Sequence, residues 1–162
     1  MQAENEIGVG AYSQSIRVIA AKVAEPPTVF ELISSSATTI EFGWSAAYNG
    51  GTPVTHYKIY WDAGSGSGVF SELAFTNSPT RVFLVNNGLT SGTFYNFKVV
   101  SVNAVGDSVQ SNAVKYIAAS VPSVPGKPYS TSTSTSSIGI AWTASLENGS
   151  TIDFYNVYSS VN

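Results

Sequence analysis

Apolar and polar residues alternate with a period of two along most of the chain, the spacing of strands with one buried face, so the pattern predicts an all-β fold. The longest clear run is residues 89–108, LTSGTFYNFKVVSVNAVGDS. There Tyr95, Phe97, Val99 and Ser101 share one face and Asn96, Lys98, Val100 and Val102 the other, until Asn103 and Gly106 break the strand. Residues 38–45 put Ile40, Phe42 and Trp44 inward and Glu41, Gly43 and Ser45 outward, and the turn-rich AAYNGGTP follows. In residues 54–62, Tyr57, Ile59 and Trp61 point inward while His56, Lys58, Tyr60 and Asp62 fall on the outer face. Residues 69–76 and 80–85 predict two more strands separated by Asn77-Ser78-Pro79, and residues 111–119 another. A first strand is expected over AEPPTVF, residues 24–30, because proline lacks a ladder donor and belongs on an edge.

The pattern repeats itself. Residues 1–64 laid over residues 99–162 without gaps, at an offset of 98, are identical at about a quarter of positions. Asn5 falls on Asn103, Gly8 on Gly106, Ser13 on Ser111, Ile40 on Ile138, Trp44 on Trp142, Gly51 on Gly149, Tyr57 on Tyr155 and Tyr60 on Tyr158. The chain therefore reads as the end of one repeat (residues 1–22), a complete repeat (23–120) and the start of a third (121–162). In the third repeat, SVPSVPGKP is expected as first strand, SSIGIAWTA as the second with Ile138, Ile140 and Trp142 inward, and STIDFYNVYS as the third.

Five features in order now resemble the fibronectin type III family: the proline-rich start, Trp44, NGGTPVTHYKIYW leading into the next strand, the approach LTSGTFY, and the hairpin tips NAVGDS and NEIGVG. The resemblance covers the whole chain. It implies an immunoglobulin-like β-sandwich in tandem, with Tyr95 hydrogen-bonding back to upstream backbone as a tyrosine corner. On that fold Trp44, Tyr57 and Tyr95 form the structural core, and Trp142 and Tyr155 the corresponding core of the third repeat. Some relatives carry an Arg-Gly-Asp adhesion signal at the hairpin tip; here it reads Ala104-Val105-Gly106-Asp107-Ser108, without the arginine.

Composition removes several classes of function. Only 10% of residues are charged, the net charge is −3 and cysteine is absent, so no basic stripe suits nucleic acid and no disulfide or thiolate metal site is possible. No apolar run approaches the ~18 residues of a membrane span, and MQAENEIGVG lacks the features of a secretory signal, so any signal is expected outside this sequence. Carboxylates at metal or glycosidase spacing are missing from the row, and AGSGSG precedes a strand and lacks the lysine of a phosphate loop. The one histidine, His56, reads as an exposed strand residue, since the repeat has Phe154 there. No cofactor is expected, and no catalysis.

Two kinds of modification are suggested. Asn148-Gly149-Ser150 is an N-glycosylation acceptor triplet, and the run Ser130, Thr131, Ser132, Thr133, Ser134, Thr135 suits O-linked sugar or an ordinary polar strand edge. With roughly a quarter of residues Ser or Thr and so few charges, attached glycan would supply a barrier to aggregation.

The expected function is a non-enzymatic structural or adhesion protein, extracellular or at the cell surface, in which neighbouring repeats or copies meet end to end. Short connections without a flexible Gly/Ser linker predict a stiff rod or filament. The incomplete outer repeats fit either a window on a longer tandem protein or donor-strand assembly between chains. Two other readings stand beside this one: a glycan- or protein-binding face formed by His56, Lys58, Tyr60, Asn96 and Lys98, and spacer repeats within a larger extracellular enzyme.

Overall fold

The computed structural model describes residues 1–160. A small hairpin of β1 (Glu4–Asn5) and β2 (Gly8–Val9) opens the chain. A three-stranded antiparallel sheet follows, ordered β3 (Phe30–Ser35), β4 (Ile40–Trp44), β7 (Val82–Val85). Facing it is a four-stranded sheet ordered β6 (Ser71–Asn77), β5 (Val54–Trp61), β8 (Phe94–Asn103), β9 (Val114–Ile117). A second hairpin, β10 (Tyr129–Thr133) and β11 (Ile138–Ala141), comes last.

The inward residues of the alternating strands meet between the two sheets. Ile40, Phe42 and Trp44 of β4 pack against Tyr57 and Ile59 of β5 and Tyr95, Phe97 and Val99 of β8, with Val85 and Ala118 closing the cluster. The rings of Phe42 and Phe97 lie 4.8 Å apart, and Trp44 meets Tyr57 edge-on at 5.4 Å. Trp44 is 5% exposed, and its Nε1 has no hydrogen-bond partner among the described residues, so it holds the sheets together through area and packing.

The return from β8 towards β9 uses hydroxyls as ladder partners. Val99 N donates to Ser111 Oγ (2.9 Å) and Ser101 N to Ser108 Oγ (3.0 Å), while Ser111 N and Ser108 N donate to the carbonyls of Val99 and Ser101. The regular part of β9 therefore begins only at Val114, later than the expected strand over 111–119.

The first strand also sits later than expected. Pro26 and Pro27 withhold two successive donors, so residues 24–29 form no regular ladder; β3 begins at Phe30, from which each residue has an N–H to give. Pro27 is instead fully buried. The same shift places β10 at Tyr129, after SVPSVPGKP rather than within it. Residues 150–159 carry no strand, correcting the expectation of one there, and neither do residues 11–21: among the described residues neither segment finds the ladder partner that β5 finds in β6 and β8.

The 98-residue repeat recurs in the geometry. β10 and β11 pair as Tyr129↔Ala141, Ser130↔Ile140, Ser132↔Gly139 and Thr133↔Ile138, each 98 residues beyond the β3 and β4 pairs Glu31↔Gly43, Leu32↔Phe42, Ser34↔Glu41 and Ser35↔Ile40, bulge included. Ser36 Oγ accepts from Thr38 N and Thr39 N, and Ser134 Oγ from Ser136 N and Ser137 N. Asn5 Oδ1 caps the N–H groups of Ile7 and Gly8 as Asn103 Oδ1 caps those of Val105 and Gly106. Trp142 meets Tyr155 edge-on at 5.4 Å, like Trp44 and Tyr57, but Tyr155 is 37% exposed where Tyr57 is buried.

That difference sets unequal costs. Trp44→Ala is expected to destabilise the sandwich by about 3–5 kcal/mol, and half-buried Trp142→Ala by clearly less, read as shifts in the urea unfolding midpoint.

Candidate functional site

Two places bring functional side chains together: the outer face of the four-stranded sheet, and the segments that lead into β3 and β10. On the face, β5 and β8 pair Tyr60 with Lys98 and Lys58 with Val100, so His56, Lys58, Tyr60, Asn96 and Lys98 do lie on one surface. Each of these side chains already has a partner. Lys58 Nζ is 2.6 Å from Asp107 Oδ2, and that hydrogen bond holds the Lys58 ammonium above its ordinary value. Tyr60 OH donates to Glu72 Oε2 at 3.3 Å; burial and the Glu72 charge push its phenol up. Lys98 lies over the Phe70 ring at 4.3 Å and reaches Gln110, while His56 contacts Thr55 Oγ1 and stands edge-on to Phe75. Val100 and Val102, outward by parity, are nonetheless buried.

Asp62 departs most from its expected place. It is 3% exposed, not displayed on the face, and its carboxylate accepts from Asn96 N (3.0 Å), Asn96 Nδ2 (2.6 Å) and Gly64 N (3.0 Å). Burial pushes this carboxyl up, but the hydrogen bonds from the Asn96 side chain and from the backbone of Asn96, Gly64 and Gly66 outweigh it and hold it below the ordinary value. Asn96 is thereby committed to the fold.

The connecting segments are more specific. Ahead of β3, Lys22 N donates to Gly50 O and Glu25 N to Tyr48 O, both at 2.9 Å, laying the segment along the turn between β4 and β5. Asn103 Nδ2 then bridges Lys22 O (2.8 Å) and Asn49 O (2.9 Å), tying in the hairpin tip after β8. Ninety-eight residues on, Ser120 N donates to Asn148 O and Ser123 N to Leu146 O, both at 3.0 Å. Gly50 and Asn148 share a left-handed backbone (φ 71° and 50°), as do Gly51 and Gly149 (φ 98° and 94°). A Cβ on Gly149 would stand 2.8 Å from Ala118 O and 2.9 Å from Gly92 N, so the two repeats approach backbone to backbone.

The expected tyrosine corner is formed as well: Tyr95 OH accepts from Thr90 N (2.7 Å), faces Gly88 O (3.4 Å), and its ring stacks on Trp61 at 5.8 Å. Residues 25–116 match the fibronectin type III domain. The chain belongs to the fibronectin type III family. It is 30% identical over 120 residues to the cell adhesion molecule Dscam1 of Drosophila melanogaster, covering 74% of this chain and 6% of that protein. It is 30% identical over 132 residues to chitinase A1 of Niallia circulans, covering 76% and 17%. The chain thus spans less than a fifth of either relative. Titin domains A168–A170 share the fold, with a TM-score of 0.54 at 23% identity over 60% of this chain and 33% of theirs.

On this type III frame the modification candidates fall in different settings. Asn148 Nδ2, the atom an N-linked glycan would occupy, donates to Val121 O at 2.8 Å inside the second connection. Ser130, Thr131, Ser132 and Thr133 form the exposed strand β10, while Ser134, with its hydroxyl engaged in the turn, and Thr135 follow it. The bonding roles of Asp62 and Asn103 and the close approach at Gly92 were not given by periodicity. For Asn103 a signal existed, since Asn5 and Asn103 are identical across the repeat, as are Gly51 and Gly149.

Asp62 gives a pH-dependent test. Its folded value is depressed, so its stabilisation is complete above its ordinary value of about 3.9 and is lost as pH falls through the folded one. Asp62→Asn is expected to flatten the acid limb of the stability profile, and Asp62→Ala to cost about 1.5–3 kcal/mol at neutral pH, both read by thermal or urea unfolding.

Proposed function

We propose that this chain is a run of stiff, non-enzymatic type III repeats, with units at 1–22, 23–120 and 121–162, serving as an adhesion or spacer rod in an extracellular or cell-surface protein. The observation that carries the reading is that the connecting segments before and after the complete repeat make the same two backbone hydrogen bonds, 98 residues apart. These bonds hold each connecting segment against the repeat that follows it, which a flexible tether would not do. The closeness of Gly149 to Gly92 and Ala118 adds a steric stop on the side where one repeat follows another. Glycan attached along β10 would lie on the outside of such a rod.

Neighbouring repeats, in the same chain or another copy, are the partners this reading assigns. It leaves the outer face of the four-stranded sheet as a solvated surface, because Lys58, Tyr60 and Asn96 already spend their polar groups on Asp107, Glu72 and Asp62. Similarity to a cell adhesion molecule fits a rod that holds other parts at a distance. Similarity to chitinase A1 and to exoglucanase B of Cellulomonas fimi favours a second setting for the same mechanical role, spacing the domains of a larger secreted enzyme.

Four such repeats in series are expected to be straight rods by electron microscopy, each repeat adding on the order of 30 Å, the rise of a ten-residue strand. Gly149→Val, which forces a side chain into Gly92 and Ala118, should broaden the bend at that joint and leave the unfolding midpoint of the complete repeat in place. A freely bent chain of beads before any substitution would contradict the rod.

A further inference from the structure

The sequence holds three Asn-Gly pairs, Asn49-Gly50, Asn87-Gly88 and Asn148-Gly149, and the fold treats them differently. Asparagine followed by glycine is open to a self-contained reaction. The glycine backbone nitrogen attacks the asparagine side-chain carbonyl carbon and gives up its proton. The side-chain nitrogen leaves as ammonia. Water then opens the cyclic imide to aspartate or isoaspartate, so the net change is asparagine plus water to an acid plus ammonia. The reaction needs an unhindered glycine nitrogen close to the side-chain amide and a peptide free to rotate.

Two of the pairs are held in the connecting segments. Asn49 O accepts from Asn103 Nδ2 and Gly50 O from Lys22 N, while Asn49 Oδ1 is turned to Gly51 N, one residue past the nitrogen that would attack. Asn148 O accepts from Ser120 N and its Nδ2 donates to Val121 O, so both its backbone and its side chain are fixed. Asn87 stands in the exposed turn between β7 and β8. Gly88 N lies 2.8 Å from Asn87 Oδ1, placing the attacking nitrogen against the side-chain amide it would attack.

We propose that Asn87 is the preferred deamidation site of this protein, converting through a succinimide with Gly88 while Asn49 and Asn148 are protected. The protection of those two rests on the docked joints described above; the reactivity of Asn87 does not. The site matters because its neighbours belong to the tyrosine corner. Gly88 O faces Tyr95 OH at 3.4 Å, and the Trp61 ring lies so close that a Cβ on Gly88 would be 3.0 Å from it. Isoaspartate lengthens the main chain by one carbon next to Gly88 and adds a negative charge, which pulls that carbonyl out of register with Tyr95. Conversion is therefore an ageing step that loosens the turn holding β8.

The folded full chain, incubated at 37 °C and pH 7.4 and followed by peptide mapping for the one-dalton gain and for isoaspartate, tests this. Asn87 is expected to convert at least about tenfold faster than Asn49 and Asn148, a gap of ~1.4 kcal/mol in local opening, with the three comparable in the urea-denatured chain. Aged protein should melt below fresh protein, and Asn87→Gln, which disfavours the five-membered imide and keeps Gly88 in place, should abolish that drift. Asn87 intact in the folded chain while it reacts in the denatured one overturns the proposal. Rapid conversion of Asn49 and Asn148 alongside Asn87 overturns the preference and points to open joints, which separates that failure from unreactivity at Asn87.

Discussion

The hydrogen bonds from Lys22 and Glu25 to the turn between β4 and β5 are the constraint that fixes how the chain enters the sandwich. A connecting segment at a domain boundary normally leaves its donors to water and its direction undefined. Here Pro26 and Pro27 have no donor to offer, and Lys22 and Glu25 spend theirs on carbonyls of a single turn. That turn presents its carbonyls outward only because positions 50 and 51 take left-handed backbone, which glycine adopts without strain. Asn103 locks the arrangement by bridging the segment and the turn from the hairpin tip. The second boundary keeps the backbone bonds and puts Asn148 where Gly50 stood, another residue that tolerates this conformation.

Behind the joint, the sandwich is held by burial rather than charge. Its core is a column of aromatic and branched side chains from β4, β5 and β8, with Trp44 wedged beside Tyr57. Ionic groups are few: on the four-stranded sheet Lys58 pairs with Asp107, while Lys98 and Lys115 lie over the rings of Phe70 and Phe94. Lys58 and Asp107 hold the hairpin tip beside β5, and the Asp62 carboxylate gathers the turn after β5 and the start of β8.

Much of this was legible in the residues. Strict alternation in 38–45, 54–62 and 89–103 was enough to assign inward and outward faces, because a strand with one buried side has no other way to satisfy its side chains. The constant offset of 98 announced the repeated turn and the repeated Trp and Tyr pair. What escaped was whatever depends on the third dimension. The proline segments read as strands because edge strands tolerate proline, whereas here the donors they lack and the bonds made around them turn the segment into a connector. Asp62 read as exposed because parity alone placed it, and only the donors of Asn96 and Gly64 explain its burial. The bond from the Asn148 amide to Val121 O likewise has no signature in the acceptor triplet.

Native-state hydrogen exchange at the connecting segments tests the docked joint most directly. If the joints are closed, the amides of Lys22, Glu25, Ser120 and Ser123 exchange far more slowly than the unstructured-chain rate, although they lie outside every strand. Exchange of all four at the unprotected rate, with the amides of β4, β5 and β8 still protected, would show folded repeats on free tethers and contradict the account.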